Sequence, residues 1–421
     1  MFFKKNTFKI IIFVLLLTLF FIIGFIIYLR EARVNNDWPF NAKIGKYFPN
    51  IIKKIVWDIS SNENSIVESF FYDLSLNKYK IPSVNSVEHG GSIELINNNQ
   101  VLLLLNNGEI FIFDIKKLDY TKIEYDYIQK NFVSIRDILL VNKNQKDKYL
   151  VLLGVSEKKE GCMQLELLKF NLNFDTDLNF VSFENSETIW NSEIKCNNPA
   201  INTFGSRVIY LEDYYYLTMG YVKVTGNNDG INDDSQNLKS MFGKILKISQ
   251  DGTFDIFSSG HRNPQGLFFS KNKNLIFSTE HGPSGGDEIN LIKRNNNYGW
   301  PCSTYGILYD FKKDELSKYW PDDIKNCNRD FTEPLYSWTP SIAISQGLEY
   351  FGDEFSIFNN DLLVGSLKAQ SIFRIRLDKN NIIRNIEKIF INERIRDLIL
   401  LDSGKILILS DSGNLLILEK K

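Results

Sequence analysis

Two stretches in the middle of the chain hold the residues best suited to chemistry. The first reads SSGHRNPQGLFFS (Ser258 to Ser270) and the second FSTEHGPSGGDEINLIKRNNNYGWP (Phe277 to Pro301). In the first, His261-Arg262-Asn263-Pro264-Gln265-Gly266 sets a cation and two amide side chains beside a turn-forming Pro and Gly. Such a loop presents several donors to one flat anionic or quinoid ligand. In the second, the run from Glu280 to Glu288 is rich in glycine, so its carbonyls can turn toward a hard cation such as calcium. No G-K-[ST] follows and no G-x-G-x-x-G occurs there, so neither a phosphate loop nor a dinucleotide fingerprint is present. Taken singly, each loop reads equally well as a polar turn between strands.

The elements that would position these loops are short strands. Apolar runs of four to seven residues recur, separated by Asn, Asp, Gly and Lys, as in VLLLLNNGEIFIFDI (Val101 to Ile115) and KILILSDSGNLLILE (Lys405 to Glu419). Both are hairpin-like, with NNG or DSG between the runs. A weak internal echo links IRDILLV (Ile135 to Val141) with IRDLILLD (Ile395 to Asp402). Aromatic residues reach 14%, which suits strands. A chain of 421 residues exceeds one sandwich, and about six four-stranded blades of roughly 40 to 60 residues fit its length. The expected fold is all-β, a six-bladed β-propeller over residues 56–421, preceded by one N-terminal transmembrane helix.

That helix is read from IIIFVLLLTLFFIIGFIIYL, residues 10–29, which carries no charge and would span about 30 Å. YLREARVNN follows without an A-x-A cleavage site, so an uncleaved anchor is expected over a signal peptide. Lys4, Lys5 and Lys9 favour an inside N-terminus of residues 1–9, a linker over 30–55 and an outward-facing body. The expected place is the cell (inner) membrane, single-pass, with the propeller on the periplasmic or extracellular side. The net charge is -2, and a nucleic-acid partner would demand a clustered basic excess, so none is expected. The three histidines, His89, His261 and His281, are too few for a multi-His metal centre. The four cysteines form no C-x-x-C, which removes zinc ribbons and covalent haem. An exported setting favours disulfides, with Cys162–Cys196 and Cys302–Cys327 as local pairs among three possible pairings.

The two central motifs together resemble those of the glucose/sorbosone dehydrogenase family, which includes soluble glucose dehydrogenases and aldose sugar dehydrogenases. The resemblance runs in order from about Glu88 to Ile417. It takes in FGSRVIYLEDYYYLTMG (Phe204 to Gly220), LKSMFGKILKISQDG, SWTPSIAISQGLEYF, LLVGSLKAQSIFRIRLD and NERIRDLIL. It implies a six-bladed propeller holding pyrroloquinoline quinone and calcium. It also implies a sugar or related alcohol as substrate, oxidised by hydride transfer to the quinone, with a separate electron acceptor.

Carried over residue by residue, the resemblance assigns Arg262, Asn263 and Gln265 to the quinone, with Lys368, Arg394 and Arg396 gripping its carboxylates. Gly282 and Pro283 match the carbonyl donors to calcium, and Trp338 lies near the family's aromatic over the cofactor. The family's catalytic histidine is replaced by Thr203, whose hydroxyl accepts a proton poorly near neutral pH. Asn202 offers no base either, and Tyr221 stands where the family has an aspartate. His89, in VEHGGSIE, aligns with a glutamine that faces the cofactor and is the candidate substitute base. His281 is expected to shape its loop, His261 to support its turn, and Asp287 and Glu288 to cap backbone amides. Two readings follow: an anchored quinoprotein dehydrogenase, or a propeller with an altered catalytic cluster that binds a ligand or glycan.

Overall fold

The VLLLL run explains the architecture. Val101, Leu103 and Leu105 enter one apolar cluster with Phe111, Phe113, Leu407 and Leu415, while Leu102 and Leu104 enter another with Ile138, Leu150 and Leu152. Alternate side chains of one strand therefore bury against two different sheets. An unbroken apolar run is what a strand needs when both faces are covered. Ile406 and Ile408 against Leu407 and Leu409 repeat the pattern at the other end of the sequence.

The computed structural model describes residues 64–421, apart from 83–90, 143–147, 176–178, 206, 223–233 and 308–329. Asn64–Lys421 forms one unit of six antiparallel sheets, the blades of a propeller. The innermost strands are Gly91–Asn97, Ser134–Asn142, Val208–Leu211, Pro264–Ser270, Ile344–Glu349 and Ile395–Leu400, for blades 1 to 6 in order. In blades 1 to 5 the innermost strand comes first and the chain steps outward. The ring is closed in blade 6, where Asp73–Lys80 pairs antiparallel with the last strand, Asn414–Lys420, from Leu74 opposite Lys420 to Lys80 opposite Asn414. Asn64–Glu68 adds a fifth strand outside it.

The all-β propeller expectation is met. Among the described residues no helix is long and apolar enough to cross a membrane. The expected N-terminus, anchor and linker at 1–9, 10–29 and 30–55 lie outside the described residues, as do residues 56–63 of the expected propeller. Cys162 and Cys196 are joined, 34 residues apart in sequence, beside the bridge between Met163 and Lys195. Cys302 is also disulfide-bonded, while Cys327 lies outside the described residues.

Candidate cofactor site

The starts of all six inner strands are tied into one rim at a single end of the central channel. Arg207, just before the blade 3 strand, donates from Nη2 to Arg396 O of blade 6 (3.0 Å) and from Nε to Gln265 O of blade 4 (3.3 Å). Arg136 of blade 2 donates from Nε to Gly205 O (2.7 Å), and His281 Nε2 donates to Ile344 O of blade 5 (2.6 Å). Ser92 of blade 1 places Oγ 2.8 Å from both Asp137 Oδ1 and Asp397 Oδ2.

Within the rim sits a buried ionic knot. Arg207 Nη1 lies 2.8 Å from Asp137 Oδ1 and 3.1 Å from Asp397 Oδ2, and all three side chains are at most 5% exposed. Backbone N–H groups of Val208 and Ile93 complete the shells of the two carboxylates. The Ser92 hydroxyl has one proton for two carboxyl oxygens, so its second contact is filled when one carboxyl is itself protonated. Burial pushes Asp137 up to about 6, opposed by Arg207 and reinforced by Asp397. Burial, then Asp137 and Asp397, also hold Glu94 well above the usual carboxylate range. Glu94, Gln346 and Glu349 line a cavity of about 270 Å³ between the inner strands. Asp137 and Asp397 are the matching positions of the sequence echo IRD, and the echo's arginines, Arg136 and Arg396, both reach the rim.

The first central motif builds the next layer. Arg262 Nη1 donates to His281 O (2.9 Å) and Gly282 O (2.8 Å). Its guanidinium carbon lies 5.4 Å from the Tyr221 ring centroid and 5.1 Å from that of Trp300. Gly220 permits the Thr203 turn to close on this strand end, because a Cβ there would meet Thr203 O at 1.9 Å. Tyr221 N then donates to Arg262 O (2.9 Å), so the Thr203 turn and the Arg262 loop share one strand end. Asn263 and Gln265 are buried and bonded to each other, with Gln265 Nε2 donating to Asn263 Oδ1 at 2.9 Å. Arg262 Nε and Trp300 Nε1 are buried without hydrogen-bond partners.

The histidines divide by their bonds. His261 is fully buried, with Nε2 at 2.8 Å from Ser258 Oγ and Nδ1 at 3.0 Å from Glu280 Oε2, stacked on Tyr298. It supports its turn, as expected. The bond to Ile344 O makes Nε2 of His281 the protonated nitrogen, since a carbonyl only accepts. Burial lowers the His281 pKa, with Asp287 opposing, so the ring is neutral at pH 7 with its lone pair on Nδ1. Asp287 caps the loop by accepting from Gly282 N (3.1 Å), Ser341 Oγ (2.7 Å) and Ile344 N (3.3 Å). Glu288 instead accepts from Asn290, and burial pushes it up to about 8.

Two of the basic residues, Arg394 and Arg396, share one carboxylate. Asp411 accepts from Arg394 Nε (3.3 Å) and from Arg396 Nε and Nη2 (2.7 and 2.9 Å), holding both guanidinium groups half-buried at the rim. Arg394 Nη1 reaches Leu367 O (3.4 Å), next to the exposed Lys368. Burial, then Arg396 and Arg207, push Arg136 down to about 9. Trp338 requires a correction. It ends the outermost strand of blade 4, is 7% exposed, and packs on Phe373 in the core between blades 4 and 5. The aromatic rings beside Arg262 are Tyr221 and Trp300. Thr203 donates its hydroxyl to Ala200 O (2.7 Å). His89 lies outside the described residues.

The carbonyls proposed for calcium are only partly available. Gly282 O already carries the Arg262 guanidinium, so a cation there fits once that side chain has turned away. Among the described residues no group of three or more His, Cys, Asp or Glu is placed to hold a metal ion. An acidic organic ligand fits better. At this mouth Arg396 acts on Arg136 and, with Arg262, on His281. Arg394 shares Asp411 with Arg396, Lys368 follows the Leu367 that Arg394 reaches, and two buried N–H donors, on Arg262 and Trp300, lack an acceptor.

Fold and rim together define a closed six-bladed propeller with a cationic rim at one end of its channel. The Glucose / Sorbosone dehydrogenase family profile matches residues 87–418, and the chain belongs to that family. Aldose sugar dehydrogenase YliI of Escherichia coli is 30% identical over 186 residues, 41% of this chain and 47% of that one. Quinoprotein glucose dehydrogenase B of Acinetobacter calcoaceticus is 30% identical over 223 residues, 39% and 46% of the two chains. The chain spans about half the length of the curated relatives it matches. The apo crystal structure of the soluble E. coli aldose sugar dehydrogenase superposes with a TM-score of 0.67 at 21% identity. That likeness covers 82% of this chain and 100% of the other, and at such identity it speaks for the fold.

Proposed function

We propose that the protein is a quinoprotein oxidoreductase that takes hydride from a sugar or related alcohol onto pyrroloquinoline quinone. The observation that carries this reading is the pair of unpartnered buried donors, Arg262 Nε and Trp300 Nε1, inside a mouth lined by four further cationic side chains. Family membership and the kinship to a quinoprotein glucose dehydrogenase support it. When bound, the quinone supplies the hydride acceptor. Arg394, Arg396 and Lys368 then pair with its acid groups in charge-assisted bonds, while Arg262, Asn263 and Gln265 hold its other edge. Calcium on the Gly282 and Pro283 carbonyls belongs to the same reading, with Arg262 turned from Gly282 O toward the ligand. Electrons leave to a separate acceptor, since the sequence has no haem or flavin motif. Residues 10–29 are the uncleaved anchor in this proposal, and the propeller faces outward from the cell membrane.

The base is His89 or His281. Thr203 gives its own proton to Ala200 O and is no substitute for a histidine, whereas neutral His281 keeps Nδ1 as an acceptor. The committed Thr203 hydroxyl also favours the second reading, a propeller that retains the cofactor mouth and only binds its ligand. Adding quinone and calcium to the purified full chain, and recording the bound-cofactor spectrum and then its bleaching by aldoses, decides between them. A saturable spectrum that sugars bleach supports the dehydrogenase. A saturable spectrum that no sugar changes supports the binding module, and no spectrum at all refutes both.

A further inference from the structure

Trp300 is 3% exposed, and its backbone is fixed from two sides. Its N–H donates to Gly260 O (2.9 Å) and its carbonyl accepts from Gln236 Nε2 (2.7 Å). Its indole Nε1–H has no partner, and an indole nitrogen can only donate. Arg262, 8% exposed, leaves Nε in the same state. Among the described residues these are the two buried side-chain nitrogens without a partner, and they belong to neighbouring side chains. The other unpartnered buried atoms are oxygens on blade strands, at Ser278, Asn290, Ser337, Ser345 and Ser410.

Arg262 Cζ stands 5.1 Å from the Trp300 centroid and 5.4 Å from that of Tyr221, and the two rings are 6.0 Å apart at 44°. Three nearly equal separations make a triangle, so the guanidinium caps the V between the rings and is not sandwiched by them. Burying a donor without an acceptor is costly, and native proteins leave few such groups outside functional sites. Two adjacent ones, one of them cationic, call for an electron-rich oxygen delivered from outside the chain.

We propose that Trp300 is a cofactor-anchoring residue, its indole N–H joining Arg262 Nε–H on one carboxylate or quinone oxygen of the bound cofactor. This rests on the quinone reading of the mouth. The residue lies in NNNYGWP, at the end of the second motif, where the sequence shows only a turn.

The test is a quinone titration of the full chain and two variants. Trp300→Phe keeps a ring beside Arg262 and removes the N–H, and its Kd should rise about tenfold or more. Trp338→Phe removes an equally buried indole from the core, and its Kd should stay within about twofold of the parent. An assignment-free check uses the unmodified protein, whose six tryptophans give indole N–H signals in a 1H–15N spectrum. Saturating quinone should move one of them, and that signal should be missing from Trp300→Phe. Equal affinity of Trp300→Phe and parent, or no indole signal moving at saturation, overturns the role of Trp300 alone. If the parent takes up no quinone, the reading of the mouth falls and this proposal with it.

Discussion

Replacing Arg207 with Met should destabilise the propeller in a way that depends on pH. The guanidinium is 4% exposed and bridges two carboxylates that are 5% and 3% exposed, so the change strands negative charge away from water. Breaking a buried pair by removing one partner costs about 3 to 5 kcal/mol. The protein can relieve the strain by protonating a carboxyl, which costs about 5 kcal/mol at pH 7.5 and about 1.5 kcal/mol at pH 5.0 for an ordinary aspartate. The penalty should therefore be about 3 to 5 kcal/mol at pH 7.5 and less than half of that at pH 5.0. The parent follows the same sign. Its Asp137 titrates at about 6 in the fold against 3.8 ordinarily, so the folded state binds more protons in that window. Stability from this group is highest below about 4 and declines as pH rises toward about 6. Urea midpoints of the full chain, followed by tryptophan fluorescence at both pH values, measure the effect. Adding Asp137→Asn to Arg207→Met should recover part of the loss at pH 7.5. Equal losses at the two pH values, or no rescue, would refute the ionic account of the channel.

Three further outcomes follow from the same geometry. Asp411→Asn should weaken quinone binding several-fold in a titration, because it loosens both Arg394 and Arg396, while Arg394→Ala should weaken it at least tenfold. Replacing Cys162 and Cys196 together by Ser should lower stability by about 3 to 4 kcal/mol in the chain-entropy account, read as a shifted urea midpoint. Of His89→Gln and His281→Gln, the one that removes the base should cut turnover about a hundredfold or more at unchanged quinone affinity. If neither does, no histidine serves as base, since both ring nitrogens of His261 are already bonded.

The blade count was legible because each blade is a local run of hairpins, and runs such as VLLLL announce strands covered on both faces. The faint IRD echo held more than it showed. It marks equivalent inner strands, placing Arg136 with Arg396 at the rim and Asp137 with Asp397 around Arg207. Arg207 itself escaped notice inside NTFGSR, because its partners lie 70 and 190 residues away in sequence. Trp338 and Trp300 were exchanged in importance for a related reason. Both lie near loop ends, and only the packing of blades 4 and 5 decides which indole enters a core. Asp411, within a hairpin turn of ordinary appearance, acquires its role when the inner hairpin of blade 6 sets Ile395 opposite Ser410 and brings two arginines to it.

The central claim is that the mouth holds a quinone. Titrating the calcium-supplemented full chain with pyrroloquinoline quinone, followed by absorbance, tests it most directly. The account predicts saturation at one quinone per chain and at least tenfold weaker binding after Arg394→Ala. An absorbance change that never saturates, or one that Arg394→Ala leaves untouched, would contradict it.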